Sequence, residues 1–459
     1  MPPAPDPLLQ PLSADRPGVV RAARLPAGFV AAGTRAGIKA SGRQDFALVV
    51  AQDGPVPAAA VFTPNRFAAA PVRLSRANLQ ATGGGDAPAG FVRAIIATSG
   101  SANAATGPEG DADQAAIGEA VAAAVGCEAS QVLHLSTGII GTRLPLDKVT
   151  AAITTVASGG LEASDDAFAS AAVSLRTTDS TTKMATAVVA APAASGQGTV
   201  AIIVSGIAKG VGMIHPRMAT MLSILLTDAT ASPATLRQLL RGAAATTWDQ
   251  LSVDGDTSTN DTVFILASGR AGAASADTDP AARASLAAGI EAVARDLARQ
   301  QARDGEGATS LITCQVSGAA DDADARAVAR AVISSSLVKA AVHGRDANWG
   351  RIAGAAGNAL VAEAAILEAA GLSPVEAAAR AAQPARVEPG TLRIAIAGHV
   401  AYDGRAGGPT GIDKTAARAS MAAEDVLIRL DLGLGGGSGE AFGCPLTEGY
   451  VKENSEYTS

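Results

Sequence analysis

Short segments rich in β-branched and aliphatic residues recur along the chain and alternate with longer alanine-rich segments of helical periodicity. Strands are predicted at Phe46–Val50, Ala59–Thr63, Val92–Thr98, Val132–Leu135, Val200–Ser205, Leu222–Thr227, Thr262–Ala267, Leu311–Val316, Leu392–Ala397 and Val426–Leu430. Helices are predicted at Asp111–Val125, Pro233–Thr246, Pro280–Ala302, Ala323–Val342 and Ala359–Ala382, the last interrupted at Gly371–Pro374. The alternation has no strict βαβ order, which favours a layered α/β fold with mixed sheets.

Aliphatic side chains must supply most of the core of this fold. Hydrophobic residues make up 48% of the chain, but aromatic residues make up only 3%. Alanine, valine, isoleucine and leucine suit thin, closely stacked layers of sheet and helix.

Charge and cysteine content exclude several classes of protein. There are 36 lysines and arginines against 43 aspartates and glutamates, with no basic cluster, so we expect no binding of nucleic acid. Cys127, Cys314 and Cys444 lie far apart and form no CxxC pair, which fits a reducing compartment. The first residues lack the basic and apolar regions of a signal peptide, and no long uncharged apolar stretch follows. The sequence predicts a cytoplasmic protein without membrane contact.

Common catalytic motifs are absent from the sequence. It contains no phosphate-binding G-x-x-x-x-G-K-[ST], no G-x-S-x-G elbow and no H-E-x-x-H zinc motif. The histidines are scattered and lack clustered cysteines or carboxylates: His134, His215, His343 and His399. We therefore expect no metal ion and no histidine-dependent hydrolase.

The most distinctive segment is Gly206–Asp228 (GIAKGVGMIHPRMATMLSILLTD). A glycine-rich loop that contains a proline leads directly into an apolar strand beginning at Thr220, so that Ala219 and Thr220 form the junction. An isolated Ala-Thr pair would indicate only the start of a strand. The surrounding residues give this pair a second interpretation.

This segment resembles the processing site of the ornithine acetyltransferase family, the bifunctional glutamate N-acetyltransferases and amino-acid acetyltransferases of arginine biosynthesis. Other segments resemble further motifs of that family in the same order, and the resemblance extends from about residue 25 to the last residue. These segments are Leu133–Gly141 (LHLSTGIIG), Thr177–Asp179 (TTD), Ser252–Asp261 (SVDGDTSTND), Arg303–Thr309 (RDGEGAT), Asn348–Arg351 (NWGR) and Tyr450–Ser459 (YVKENSEYTS).

The resemblance implies an enzyme that cleaves itself between Ala219 and Thr220 and uses Thr220 as nucleophile. The freed α-amine of Thr220 has an intrinsic pKa of about 7.7–8.0 and can act as the base at neutral pH. The resemblance assigns the oxyanion hole to Thr137 and Gly138. It implies ping-pong transfer of an acetyl group from N-acetylornithine to glutamate.

The resemblance also assigns substrate-binding residues by motif position, and the choice between Thr177 and Thr178 stays open. A substrate carboxylate needs a cation, for which Lys209 is the candidate, and a substrate amine needs an acid, for which Glu306 is the candidate. The two assignments near the chain end require residues 445–459 to fold back over the site. The full set is Thr177, Lys209, Thr220, Glu306, Asn454 and Ser459.

The expected organisation follows from the cleavage site. Residues 1–24 are predicted to form a flexible extension, residues 25–219 an α chain and residues 220–459 a β chain, in an N-terminal-nucleophile-like sandwich with a smaller C-terminal lobe. The resemblance implies that two copies of each chain form a heterotetramer. No cofactor is implied, although acetyl-CoA stays open as a co-substrate. The alternatives are an amidohydrolase or aminopeptidase of similar fold, and a silent paralogue that serves as an assembly partner.

Overall fold

The computed structural model describes residues 6–10, 12, 16–215 and 221–455. In this part of the chain the strands are β1 (Val19–Val20), β2 (Phe29–Thr34), β3 (Phe46–Ala51), β4 (Val56–Phe62), β5 (Ala89–Val92), β6 (Ala94–Ser101), β7 (Val132–Ile139), β8 (Lys183–Pro192), β9 (Thr199–Lys209), β10 (Leu222–Thr227), β11 (Leu251–Ser252), β12 (Thr262–Ala267), β13 (Leu311–Ala319), β14 (Arg393–Ile396), β15 (His399–Asp403), β16 (Gly408–Pro409), β17 (Asp425–Asp431) and β18 (Gly437–Gly443).

The α-helices in the described part of the chain alternate with the strands along the sequence, singly or in groups. They are α1 (Ala70–Gly83), α2 (Gly107–Val125), α3 (Leu146–Ala157), α4 (Asp165–Leu175), α5 (Pro233–Thr246), α6 (Pro280–Arg303), α7 (Asp322–Ser334), α8 (Ser336–His343), α9 (Trp349–Gly357), α10 (Ala364–Ala369), α11 (Pro374–Arg380), α12 (Lys414–Ser420) and α13 (Glu448–Ser455).

The strands form three mixed sheets. The first sheet has the order β1-β8-β9-β10-β12-β4-β5, the second β2-β3-β6-β7 and the third β11-β18-β13-β17-β14-β15-β16. Each sheet combines antiparallel pairs with parallel ones, which are β10 with β12, β6 with β7, and in the third sheet β11 with β18 and β13 with β17. This confirms the predicted α/β fold with mixed sheets.

The first and second sheets pack face to face. Alternate residues of β10 divide between two cores: Leu222, Ile224 and Leu226 lie in the core between the sheets, whereas Leu225 lies in the core on the opposite face. Helices α5 and α6 cover that opposite face, and α2 and α3 cover the outer face of the second sheet. The result is a four-layer sandwich of helices, sheet, sheet and helices. The third sheet and helices α7–α12 build a C-terminal lobe with a core of its own.

Each predicted strand and helix overlaps an observed one, but several observed elements were not predicted, among them strands β2, β8 and β18 and helices α1, α3, α4 and α9. Strands β10 and β12 and helix α5 have the predicted limits. The single helix predicted over Ala323–Val342 is wrong, because the chain is extended at Ser335, whose side chain caps α8 by accepting a hydrogen bond from the Val338 N–H. The interruption predicted at Gly371–Pro374 separates α10 from α11.

The folded part begins before Leu25, so that predicted starting point is wrong. Val19 and Val20 pair with Ala187 and Thr186 of β8 at the edge of the first sheet. Two residues are too few to show strand periodicity, and their pairing rests on backbone hydrogen bonds that any side chain allows.

Candidate active site

Strand β7 of the second sheet carries the Ser136-Thr137-Gly138 sequence close to its C-terminal end. Gly138 has φ +131°, and a β-carbon placed on it would lie 2.4 Å from the carbonyl carbon of Gly100 in the neighbouring β6. Only glycine fits there. The Asn260 side chain donates to the Ser136 carbonyl at 2.8 Å, which holds the backbone directly before Thr137.

Lys209 is the last residue of β9 and lies next to Thr137. Its Nζ donates to Thr137 Oγ1 at 3.2 Å, and its carbonyl accepts from Gln301 Nε2 at 2.9 Å. Lys209 is also the cross-strand partner of Leu222 in β10. The connection that contains Ala219 and Thr220 therefore starts and ends at paired backbone positions, and the side chain of the first of them, Lys209, reaches Thr137.

A buried carboxylate orders the residues around Lys209. Asp179 is only 2% exposed, and its oxygens accept from the backbone N–H groups of Gly210 at 2.9 Å and Thr177 at 3.0 Å and from Lys183 Nζ at 2.7 Å. Burial alone would raise the pKa of Asp179, but the charges of Lys183 and Lys209 outweigh it and hold the pKa below its usual value. Asp179 is thus an anion that links two of the predicted substrate-binding segments.

We expect Asp179→Asn to lower the free energy of unfolding at pH 7 by about 3 kcal/mol, since a buried ion pair loses one partner while Lys183 retains Asp304 at 2.6 Å. The folded pKa of Asp179 lies below the unfolded value of about 3.9. This contribution to stability is therefore complete above about pH 4 and is lost as the pH falls towards the folded pKa.

Chemical denaturation of wild type and variant at pH 7 and at pH 2.5–3 measures this effect. The difference between the two proteins should shrink at the lower pH, and a constant difference would contradict the assignment. Asp86→Asn, the same change at an exposed position, serves as control and should leave the free energy of unfolding within about 0.5 kcal/mol of wild type.

Glu306 forms the opposite wall of the site. One carboxylate oxygen accepts from Thr178 Oγ1 at 3.1 Å and the other from Asn454 Nδ2 at 2.9 Å. A β-carbon on Gly212 would lie 2.2 Å from Glu306 Oε2, so glycine at that position lets the acid approach the loop. Asn454 belongs to α13, and this helix brings the described end of the chain back to the site.

These groups surround one cavity of about 380 Å³. Its polar lining residues are Thr137, Thr177, Thr178, Lys209, Ser258, Thr259, Asn260, Glu306 and Asn454. Its other lining residues are Ala102, Gly138, Ile139, Ile140, Val211, Gly212 and Met213. A cavity lined by both polar and apolar groups is typical of a site for a small molecule.

Lys209 contributes an amine to the lining of the cavity. Burial lowers the pKa of Lys209, and the nearby carboxylates Asp179 and Glu306 oppose that shift. A carboxylate bound at Lys209 would add a further favourable interaction with its charge.

The structure thus brings together Thr137, Gly138, Thr177, Lys209, Glu306 and Asn454 around the cavity. Ala219, Thr220 and Ser459 lie outside the described residues. Thr177 and Thr178 both line the cavity, the first holding Asp179 through its N–H and the second holding Glu306 through its hydroxyl, so both remain candidates.

Sequence reasoning did not assign a role to Asp179, Lys183, Gly212 or Asn260. Asp179 and Lys183 lie four residues apart in a polar stretch, and this spacing of opposite charges is the feature of the sequence that could have indicated their ion pair. Their burial, and the contact of Asn260 with a strand 124 residues earlier, arise only from the tertiary fold.

A model of the ArgJ family matches residues 30–459. The chain belongs to the ArgJ family. The arginine biosynthesis bifunctional protein ArgJ of Thermosynechococcus vestitus is 42% identical over 432 residues, which cover 94% of this chain and 96% of the relative. The ArgJ protein of Thermus thermophilus is 40% identical over 440 residues, 95% and 100% of the two chains.

A solved structure of ornithine acetyltransferase from Mycobacterium tuberculosis, complexed with ornithine, is 40% identical to this chain. It covers 44% of this chain and 99% of its own, with a TM-score of 0.38. Membership of the ArgJ family confirms the predicted enzyme class, an ornithine acetyltransferase of arginine biosynthesis. Among the helices of the described residues, none is both long enough and apolar enough to span a membrane.

Proposed function

We propose that this chain cleaves itself between Ala219 and Thr220 and then transfers an acetyl group from N-acetylornithine to glutamate through an acetyl-Thr220 intermediate. The observation that carries the proposal is the position of the Lys209–Leu222 pair. The connection that holds Thr220 starts and ends at this pair, and the Nζ of Lys209 donates to Thr137 Oγ1 in the cavity that Glu306 also lines.

Self-cleavage uses the same hydroxyl as the later transfer. Thr220 Oγ attacks the carbonyl carbon of Ala219, its proton passes to the departing nitrogen, and the peptide C–N bond breaks to leave an ester. Water then hydrolyses the ester, which gives a carboxylate on Ala219 and restores the hydroxyl beside a free α-amine on Thr220.

In the transfer reaction that α-amine accepts the hydroxyl proton while Oγ attacks the acetyl carbonyl carbon of N-acetylornithine. The oxyanion that forms is stabilised by the Gly138 N–H and by the Thr137 hydroxyl. Because Thr137 Oγ1 accepts from Lys209, its own proton is free to point towards the oxyanion. The amide C–N bond breaks and ornithine leaves with the proton. The neutral amine of glutamate then attacks the acetyl ester, and the bond between the acetyl carbon and Thr220 Oγ breaks. The proton lost by the attacking amine passes through the Thr220 α-amine to Oγ, which restores the hydroxyl and releases N-acetylglutamate.

Substrate binding follows from the charges of the two walls. We assign the α-carboxylate of both substrates to Lys209, and the cationic group of ornithine to Glu306, whose oxygens are oriented by Thr178 and Asn454. The proposal includes a heterotetramer with two copies of each chain, which the native mass tests. It also includes a cytoplasmic location, which cell fractionation tests.

Intact mass of the purified protein under denaturing conditions tests the proposal. We expect two polypeptides that meet at Ala219 and Thr220, and a mass increase of one acetyl group on the second after N-acetylornithine is added. A single uncut chain in well-folded protein would overturn the proposal. Faster discharge of the acetyl group by water than by glutamate would instead favour an amidohydrolase.

A further inference from the structure

The segment Ser252–Thr262 has no role in the mechanism above, although it lies against the site. It connects β11 with β12 and contains the SVDGDTSTND motif. Its contacts reach both described flanks of the predicted cleavage site and the strand that carries Thr137.

The upstream flank is held mainly by Asp254. The Asp254 carboxylate accepts hydrogen bonds from the backbone N–H groups of Met213 and of Ile214, the latter at 2.9 Å. Met213 has φ +54°, a left-handed conformation that a non-glycine residue adopts only when its surroundings hold it there. His215, which follows Ile214, is also held by this segment, since Thr257 Oγ1 donates to the His215 carbonyl at 3.0 Å.

The downstream flank is held by the other end of the segment. The Thr262 N–H donates to the Met221 carbonyl at 2.8 Å, and from there β12 continues parallel to β10. Asn260, two residues earlier, donates to the carbonyls of Ser136 at 2.8 Å and Ala102 at 2.7 Å. One segment therefore sets the distance between the two flanks and also orders the backbone before Thr137.

The segment itself is anchored in the interior. Lys339 is 3% exposed, and its Nζ donates to the carbonyls of Ser252 and Cys444, both at 2.9 Å. Asp254 is further oriented by the Asp256 N–H at 3.1 Å. The Asp254 carboxylate, which binds the upstream flank, is therefore itself held in a fixed position.

We propose that Asp254 is a positioning residue for self-cleavage. Its carboxylate fixes the Met213–Ile214 turn against an anchored segment, so that the described flanks of the predicted cleavage site, which end at His215 and begin again at Met221, are held in fixed positions. This inference rests on the proposed self-cleavage and assigns no role to Asp254 in acetyl transfer. Hydrogen bonds from two N–H groups to one charged acceptor are strong enough to order such a turn.

The test follows cleavage of freshly synthesised full-length protein by intact mass over time. We expect Asp254→Asn, which keeps one acceptor oxygen, to slow cleavage about 10-fold and Asp254→Ala to slow it about 100-fold. Asp256→Asn makes the same chemical change at an exposed residue of the same turn and should be cleaved at the wild-type rate.

The outcomes separate this inference from the proposed function. An uncut wild-type protein would overturn the proposed function, whereas a cut wild type with equally fast cleavage of Asp254→Ala would overturn the inference alone. Val149→Ala, a core change in α3, shows what loss of stability alone does to cleavage. If the cleavage rates of all variants simply follow their unfolding midpoints, Asp254 is structural and the inference fails.

Discussion

A Thr220→Ala variant is expected to remain a single chain of 459 residues and to transfer no acetyl group above background, a loss of about 10⁴-fold or more. The size of the loss has two causes. The side chain that we propose attacks both the Ala219 carbonyl and the acetyl carbonyl is gone, and without cleavage the α-amine that would serve as base is never released. Intact mass and an assay of acetylglutamate formation measure the two consequences separately.

Thr220→Ser is the matched control for this variant. It keeps the hydroxyl and, once cut, the α-amine, so we expect it to be cleaved and active at a reduced rate. Transfer of acetyl groups by Thr220→Ala would show that another residue is the nucleophile. Cleavage of Thr220→Ala at the same bond would show that processing does not depend on the threonine hydroxyl.

A Thr137→Val variant is expected to lower kcat by about 10²–10³-fold with little change in KM. Valine has nearly the shape of threonine but cannot donate to the oxyanion or accept from Lys209, which lies at 3.2 Å in the native structure. The oxyanion exists only in the tetrahedral intermediate and its transition states, so the loss falls on kcat rather than on substrate binding.

Steady-state kinetics with N-acetylornithine and glutamate measure this loss. Each rate is divided by the fraction of the protein that is cleaved, which intact mass measures, so that incomplete cleavage is not counted as a lower kcat. Thr137→Ser keeps the hydroxyl and should recover most of the activity. An unchanged kcat for Thr137→Val, or an increase in KM alone, would move Thr137 from the oxyanion hole to substrate binding.

The parts of the fold that sequence reasoning predicted best are those with continuous apolar runs. Strands β10 and β12 lie inside the first sheet with both faces covered, so every residue is buried and the run is unbroken. Strand β18 (GSGEAFG) has no such run and was missed. A β-carbon on Gly439 would lie 2.8 Å from the Arg326 backbone nitrogen in α7, so this strand needs glycine where the helix crosses it.

The candidate site likewise contains residues that the sequence identifies and residues that it does not. Residues that belong to recognisable motifs, such as Thr137 and Lys209, could be named from the sequence. Asp179, Asp254 and Asn260 could not be given roles, because each acts through backbone groups of distant segments that only the folded chain brings near. Motif position identifies candidate chemical groups, but the groups that hold them in place are defined by tertiary contacts.

The strand order of the first sheet has a consequence for the protein after cleavage. Strands β10 and β12 follow the predicted cut, yet they lie between β9 on one side and β4 on the other, both of which precede it. Once the bond is broken, unfolding releases two polypeptides, and their reassembly becomes a second-order process that depends on protein concentration. If the chain is cut as proposed, we therefore expect the lifetime of the folded protein to depend on the rate at which its two pieces separate rather than on a folding equilibrium.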